Sequence, residues 1–202
     1  MAPLIKSIEL PGIGKLELQD IKKDIENVKA VAQSADTKAS LSLVSTFDKS
    51  VLSPDEAAAL QNLEQLITDY DDTRTKMAAG EMRTRKMTSI SNNMIKLMAD
   101  IKDFDWTGGL QTNDHGRRLA AVAYLFAKAD LQGLKPLIDA LTKEETAFGQ
   151  YWAIQALARL AEKFPLKDLE ETEKEKLKVF YNNLPKPSDR QYELRKILSG
   201  II

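Results

Sequence analysis

The chain has one histidine, His115, set between Asp114 and Gly116. A carboxylate next to an imidazole can orient a general base, but a base needs a nucleophile within reach. Cysteine is absent, and no motif nominates a serine, threonine or tyrosine for the task. Asn113 or Asp114 reads instead as the cap of a helix beginning at His115. The positive end of that helix disfavours an imidazolium, so a neutral ring used in capping or packing is expected. A cleft uniting Asp114, His115 and a hydroxyl would favour an enzyme, and no such cleft is expected. No catalytic residue is nominated, and the reading is of a non-enzyme.

Other chemistries are equally short of parts. One histidine without cysteine leaves zinc without its usual donors, and no metal or cofactor is assigned. "GIGKLE" from Gly12 begins like a dinucleotide loop, but Glu17 stands where the third glycine belongs and no helix opens there. "TGGL" at Gly108 and Gly109 lacks a phosphate-loop lysine and reads as a turn. In "DYDD", Asp69 and Asp72 share a helix side while Asp71 points elsewhere. The run lacks calcium-loop spacing, so a solvated face is expected.

The basic residues carry more information. Arg74, Lys76, Arg83, Arg85 and Lys86 flank Gly80, and Arg117 and Arg118 follow His115. Guanidinium groups grip carboxylates or phosphates in bidentate fashion. A net charge of -1 and 6% aromatic residues argue against a general polyanion binder. Tyr151 adjoins Trp152; the tryptophan is expected in the core, and the tyrosine is the exposed candidate for a partner contact at a groove edge, with core or shoulder packing the favoured alternative. The candidate partner-binding residues are therefore Arg74, Arg83, Arg85, Lys86, Arg117, Arg118 and Tyr151. Internal ion pairs are the competing reading of the arginines.

These residues need a scaffold, and apolar spacing describes one. "IKSIELPGIGKLEL" alternates on either side of Pro-Gly and predicts a short β-hairpin. Leu18, Ile21, Ile25, Val28, Ala32 and Ala35 form a heptad stripe, followed by an Ala/Ser-rich linker. "SPDEAAAL" starts a helix with a capping box from Ser53 to Glu56. Leu60, Leu63, Ile67, Tyr70, Arg74 and Met77 form its seam, with Arg74 the one polar member, up to a left-handed stop at Gly80. Met87, Ile90, Met94, Leu97, Ile101 and Phe104 continue the rhythm, so an antiparallel helical hairpin is predicted. "DWTGGLQTND" is read as a loop.

Beyond it, "GRRLAAVAYLFAKA" from Gly116 and "GQYWAIQALARLAE" from Gly149 state one helix twice, 33 residues apart. The alignment sets Leu119 on Trp152, Ala120 on Ala153 and Ala123 on Ala156. Alanines let two such helices approach closely, and stacked hairpins cover each other's apolar faces. On "RRLAAVAYL", "LKPLIDALT" and "YWAIQALARL", residues 114–184 resemble a pair of HEAT-type repeats, which implies an α-solenoid and no particular ligand. "YDDTRTKMAAGEMRTRKM" with the two repeated helices is also similar to helical regions beside effector or sensor domains in bacterial signalling and defence proteins.

The expected fold is all-α after a short N-terminal β-hairpin. It divides into 1–52 (hairpin, heptad helix, linker), 53–104 (antiparallel helical hairpin or coiled-coil bundle) and 105–202 (HEAT-like repeats). At 43% hydrophobic and 29% charged, the chain can bury a proper core. Its longest apolar run, "LAAVAYLFA", is far short of the ~20 residues that cross a bilayer, and a cytoplasmic chain is expected. The function expected is a non-catalytic interaction or regulatory module, an adaptor or sensor part docking an acidic protein partner. The alternative is an anion, nucleotide or nucleic-acid sensor using the same arginines, with nucleic acid the lesser expectation. Self-association through the heptad helix is a further expectation.

Overall fold

A computed structural model describes residues 7–10, 14–17 and 56–199. Ser7–Leu10 (β1) and Gly14–Glu17 (β2) run antiparallel, Ser7 opposite Glu17. The heptad helix, the linker and the Ser53 cap lie outside the described residues.

Eight α-helices and two short 3-10 turns, Leu131–Gly133 and Leu166–Asp168, make up most of the rest of the described chain: α1 Glu56–Lys76, α2 Glu81–Asp100, α3 Trp106–Gln111, α4 His115–Lys128, α5 Leu134–Lys143, α6 Ala147–Lys163, α7 Glu171–Asn183 and α8 Asp189–Leu198. Helices α1 and α2 pack on each other and both lie against α4, which also carries α3 and α6. Helix α6 in turn packs on α5 and α8, and α7 closes against α5 and α8. A contiguous apolar core runs from Ala59 in α1 to Leu198 in α8. No described helix is long and apolar enough to cross a membrane.

Gly80 makes the α1–α2 reversal. Its backbone, φ 154° and ψ -178°, is extended with positive φ, a region open to glycine and costly to other residues. That differs from the left-handed helical stop expected of it. A side chain would meet nothing within 4 Å there, so the requirement is of the backbone alone.

The seam of α1 is shifted from its expected line. Ala59, Leu63, Ile67, Tyr70 and Thr73 are buried, whereas Leu60 is exposed and Arg74 is only half-buried. Two features of the loop after α2 also differ from expectation. "WTGGLQ" is a helix, α3, because the Asp105 side chain accepts the Gly108 N–H at 2.9 Å and caps it. The glycines of "TGGL" thus lie inside a helix, not in a turn.

The duplicated helices, α4 and α6, touch directly. Their shared glycine has a physical role in each copy. At Gly116 a Cβ would stand 2.7 Å from the Ile67 carbonyl oxygen, so its absence lets α1 and α4 meet at backbone distance. At Gly149 the neighbours are Glu144 and Thr146 side-chain atoms, 2.6 and 2.8 Å away.

Candidate functional site

The start of α4 gathers ionisable groups from four elements. Asp114 caps the helix, its Oδ1 accepting the Arg117 N–H at 2.8 Å. Asp71, from α1, accepts the Gly116 N–H at 3.1 Å. Asp71 is therefore not on a solvated face as expected; two carboxylates serve one helix N-terminus, where the helix dipole favours them. Burial, and next the Asp114 charge beside it, hold the Asp71 carboxyl above its ordinary value.

Arg118, one turn into α4, is the hub. Its Nε donates to Glu144 Oε2 at 3.0 Å, one terminal nitrogen to the Thr112 carbonyl at 2.8 Å, and the other to His115 Nδ1 at 2.5 Å. The Arg118 and Glu144 side chains are only 19% and 10% exposed, which makes this a largely buried ion pair. Burial alone would raise the Glu144 carboxyl. Hydrogen bonds from the Thr146 hydroxyl, the Thr146 N–H and Arg118 outweigh it and hold the group below its usual range. Thr146 also caps α6, its hydroxyl accepting the Gly149 N–H at 3.0 Å. The Glu144 carbonyl accepts from Gln150 at 2.6 Å, and Gln150 accepts in turn from Arg190 of α8. A polar seam thus runs from the end of α3 to the start of α8.

Against this seam lies a small cavity of about 20 Å³, room for one water molecule, lined by Tyr70, His115, Arg118, Glu144 and Thr146 among others. A wider groove of about 680 Å³ shares His115, Arg118 and Glu144 and extends past Gln111 and Lys143. His115, Tyr70 and Thr146 line one cavity, while Asp114 lines neither it nor the wider groove. Their geometry favours holding over proton transfer. The Asp114 carboxylate is turned to the Arg117 N–H and its side chain, at 2.8 and 3.9 Å. His115 Nδ1 faces a donor that has no lone pair, so the ring proton sits on Nε2. Burial, then Arg74 and Arg118, lower the His115 pKa from 6.5. The Tyr70 phenol is pushed up to about 12 by burial, despite the Arg74 guanidinium beside it.

This gives a measurable outcome. A folded-state pKa below 6.5 means that the folded chain resists a proton the unfolded chain accepts. The contribution of His115 to stability is present above pH 6.5 and is lost as pH falls through the lowered value. Imidazole NMR is expected to show the Nε2–H form at neutral pH and a midpoint below 6.5; a midpoint at or above 6.5 contradicts the Arg118 contact.

The seven sequence-nominated residues fall into four groups. Arg74 and Arg118 join the cavity cluster, and Arg117 lies at its edge, paired with Glu64 of α1 at 2.9 Å. Arg83 turns inward, donating to the Arg74 and Met77 carbonyls at 3.4 Å each and closing the C-terminal end of α1. Arg85 and Lys86 project from the hairpin tip. Tyr151 is packed in the core, 7% exposed with its ring edge-on to Trp152 at 6.2 Å, which removes it as a partner contact and leaves the packing alternative. Every residue of α6 from Tyr151 to Leu157 is buried, because the helix is covered by α4, α5 and α8 at once. Sequence reasoning missed Tyr70, Glu144 and Thr146 as members of the cluster. Only Thr146, three residues before Gly149, carried a local signal, that of an N-cap.

Set beside protein-family models, characterised proteins and solved structures, the chain matches none significantly. The site is thus described by its own geometry, which divides the basic residues into an inner set engaged with carboxylates and carbonyls and an outer set at the α1–α2 turn.

Proposed function

We propose that the chain is a non-catalytic protein-interaction module: a helical hairpin on a short HEAT-like solenoid, docking an acidic partner through the hairpin tip. The observation that carries this reading is Met82, 70% exposed at the turn and accompanied by exposed Lys76, Arg85 and Lys86. A large, adaptable apolar side chain ringed by cations suits a surface with an apolar pocket and carboxylates around it. Lys76 and Arg85 do meet acids of their own helices, Asp72 at 2.8 Å and Glu81 at 2.6 Å. Both pairs are open to solvent and contribute little, so a partner's carboxylate can replace them. The Arg83 contacts to α1 hold the tip in one shape, which limits the ordering cost of binding.

The anion-sensor alternative draws less support. Arg118 is held by the largely buried Glu144, so an anion there would have to displace a carboxylate.

The test is panning of a random peptide display library on the whole chain. Enriched peptides are expected to carry an apolar residue flanked by aspartate or glutamate. Their binding is expected to weaken roughly tenfold or more on Arg85→Glu with Lys86→Glu, or on Met82→Asp. Peptides without acidic residues, or binding indifferent to both variants, would overturn the reading. So would tighter binding to a labelled single-stranded oligonucleotide that collapses steeply with salt.

A further inference from the structure

We infer that the acidic, apolar surface fitted by the hairpin tip is present on a second copy of this chain, in the groove of α7. The inference rests on the tip-docking reading and names its partner. The groove, about 710 Å³, is mostly apolar, with Val179 and Phe180 on its floor. Val179 is 50% exposed, a large aliphatic residue open to water. Glu171 and Glu175 stand on the rim with Lys176. Lys176 is engaged by Asp139 and Glu171 by Lys174, each at 2.7 Å, which leaves Glu175 as the rim's unpaired charge.

The two surfaces complement each other in both respects that matter for docking. The tip offers the exposed Met82 and the groove the exposed Val179 beside Phe180. Among the described residues, Lys86 at the tip and Glu175 at the rim each lack an ion-pair partner, and their charges are opposite. Tip and groove also belong to different parts of the fold: the hairpin packs on α4, while α7 packs on α5 and α8. A tip therefore meets a groove on another molecule.

Such a contact joins two different patches, so copies add head to tail, into a closed ring or an open chain according to the rotation between them, and the association grows with concentration.

Sedimentation equilibrium of the full chain tests this. The weight-average mass of the unaltered chain is expected to rise steadily from micromolar to millimolar concentration. Arg85→Glu with Lys86→Glu, and separately Glu171→Lys with Glu175→Lys, are each expected to weaken association roughly tenfold. All four positions are exposed, and far-UV circular dichroism verifies that the folds are kept. An equimolar mixture of the two variants pairs an acidic tip with a basic groove, and a native tip with a native groove, so association is expected to return. An unaltered chain that stays monomeric, or a mixture no more associated than its components, overturns the inference. If the panned acidic peptides still need the tip in that case, tip docking stands and only the second copy is wrong. If neither assay depends on the tip, both fall.

Discussion

Replacing Arg118 with methionine is expected to cost about 3–5 kcal/mol of folding stability, because it leaves the Glu144 carboxylate largely buried with its cation gone. The loss goes beyond one contact. The Thr112 carbonyl and His115 Nδ1 lose their donor in the same stroke. Thr146 continues to hydrogen-bond Glu144, but two neutral donors do not replace a guanidinium. The companion double variant, Arg118→Met with Glu144→Leu, is expected to recover most of the loss, since a buried pair replaced by apolar groups of similar volume is often neutral. Urea unfolding followed by circular dichroism reads both. A single variant within ~1 kcal/mol of the unaltered chain would mean that the pair is open to water.

Trp152→Ala is expected to cost about 3–5 kcal/mol, the range for deleting a buried aromatic from a core. Trp152 is 1% exposed and belongs to a chain of rings: Tyr70 to Phe148 at 5.8 Å, Phe148 to Trp152 at 6.2 Å, and Trp152 to Tyr151 at 6.2 Å. Those rings join α1 to α6 across the start of α4, so the cavity would open beneath two helix interfaces at once. Trp152→Phe is expected to lose far less, since the indole Nε1 has no hydrogen-bond partner among the described residues. Thermal unfolding compares the two, and equal losses would show that the indole nitrogen, not the ring volume, matters there.

Helical periodicity made the core legible. Leu63, Ile67, Met87, Ile90 and Met94 were marked by three-four spacing alone, and all are buried. The alignment of Gly116 with Gly149 likewise placed Trp152 in the core beside its alanines. Where the reading erred, tertiary contacts had overridden local pattern. Thr73 took the seam place expected of Arg74, because Arg74 is drawn toward the Tyr70 hydroxyl and the α4 start. Tyr151 is buried because α8 covers the side of α6 that two stacked repeats would have left bare. Asp71 gave no local sign of its task, since its partner, the Gly116 N–H, is 45 residues away. The same holds for Arg118 and Glu144, 26 residues apart, whose pairing depends on where the junction between α5 and α6 meets the start of α4. Asp114 was legible as a cap because capping is local chemistry.

The polar seam bears on how this stack comes apart. Linear arrays of helical pairs ordinarily fray from their ends, each unit detaching with little effect on the next. Here Arg118 belongs to one pair and Glu144 to the junction with the next, while Gln150 and Arg190 carry the linkage into the terminal helix. Peeling away the last unit strips hydrogen bonds from its neighbour, and separating the first strands a charge in an apolar surround. Melting of the described helices should accordingly be cooperative, in a single transition.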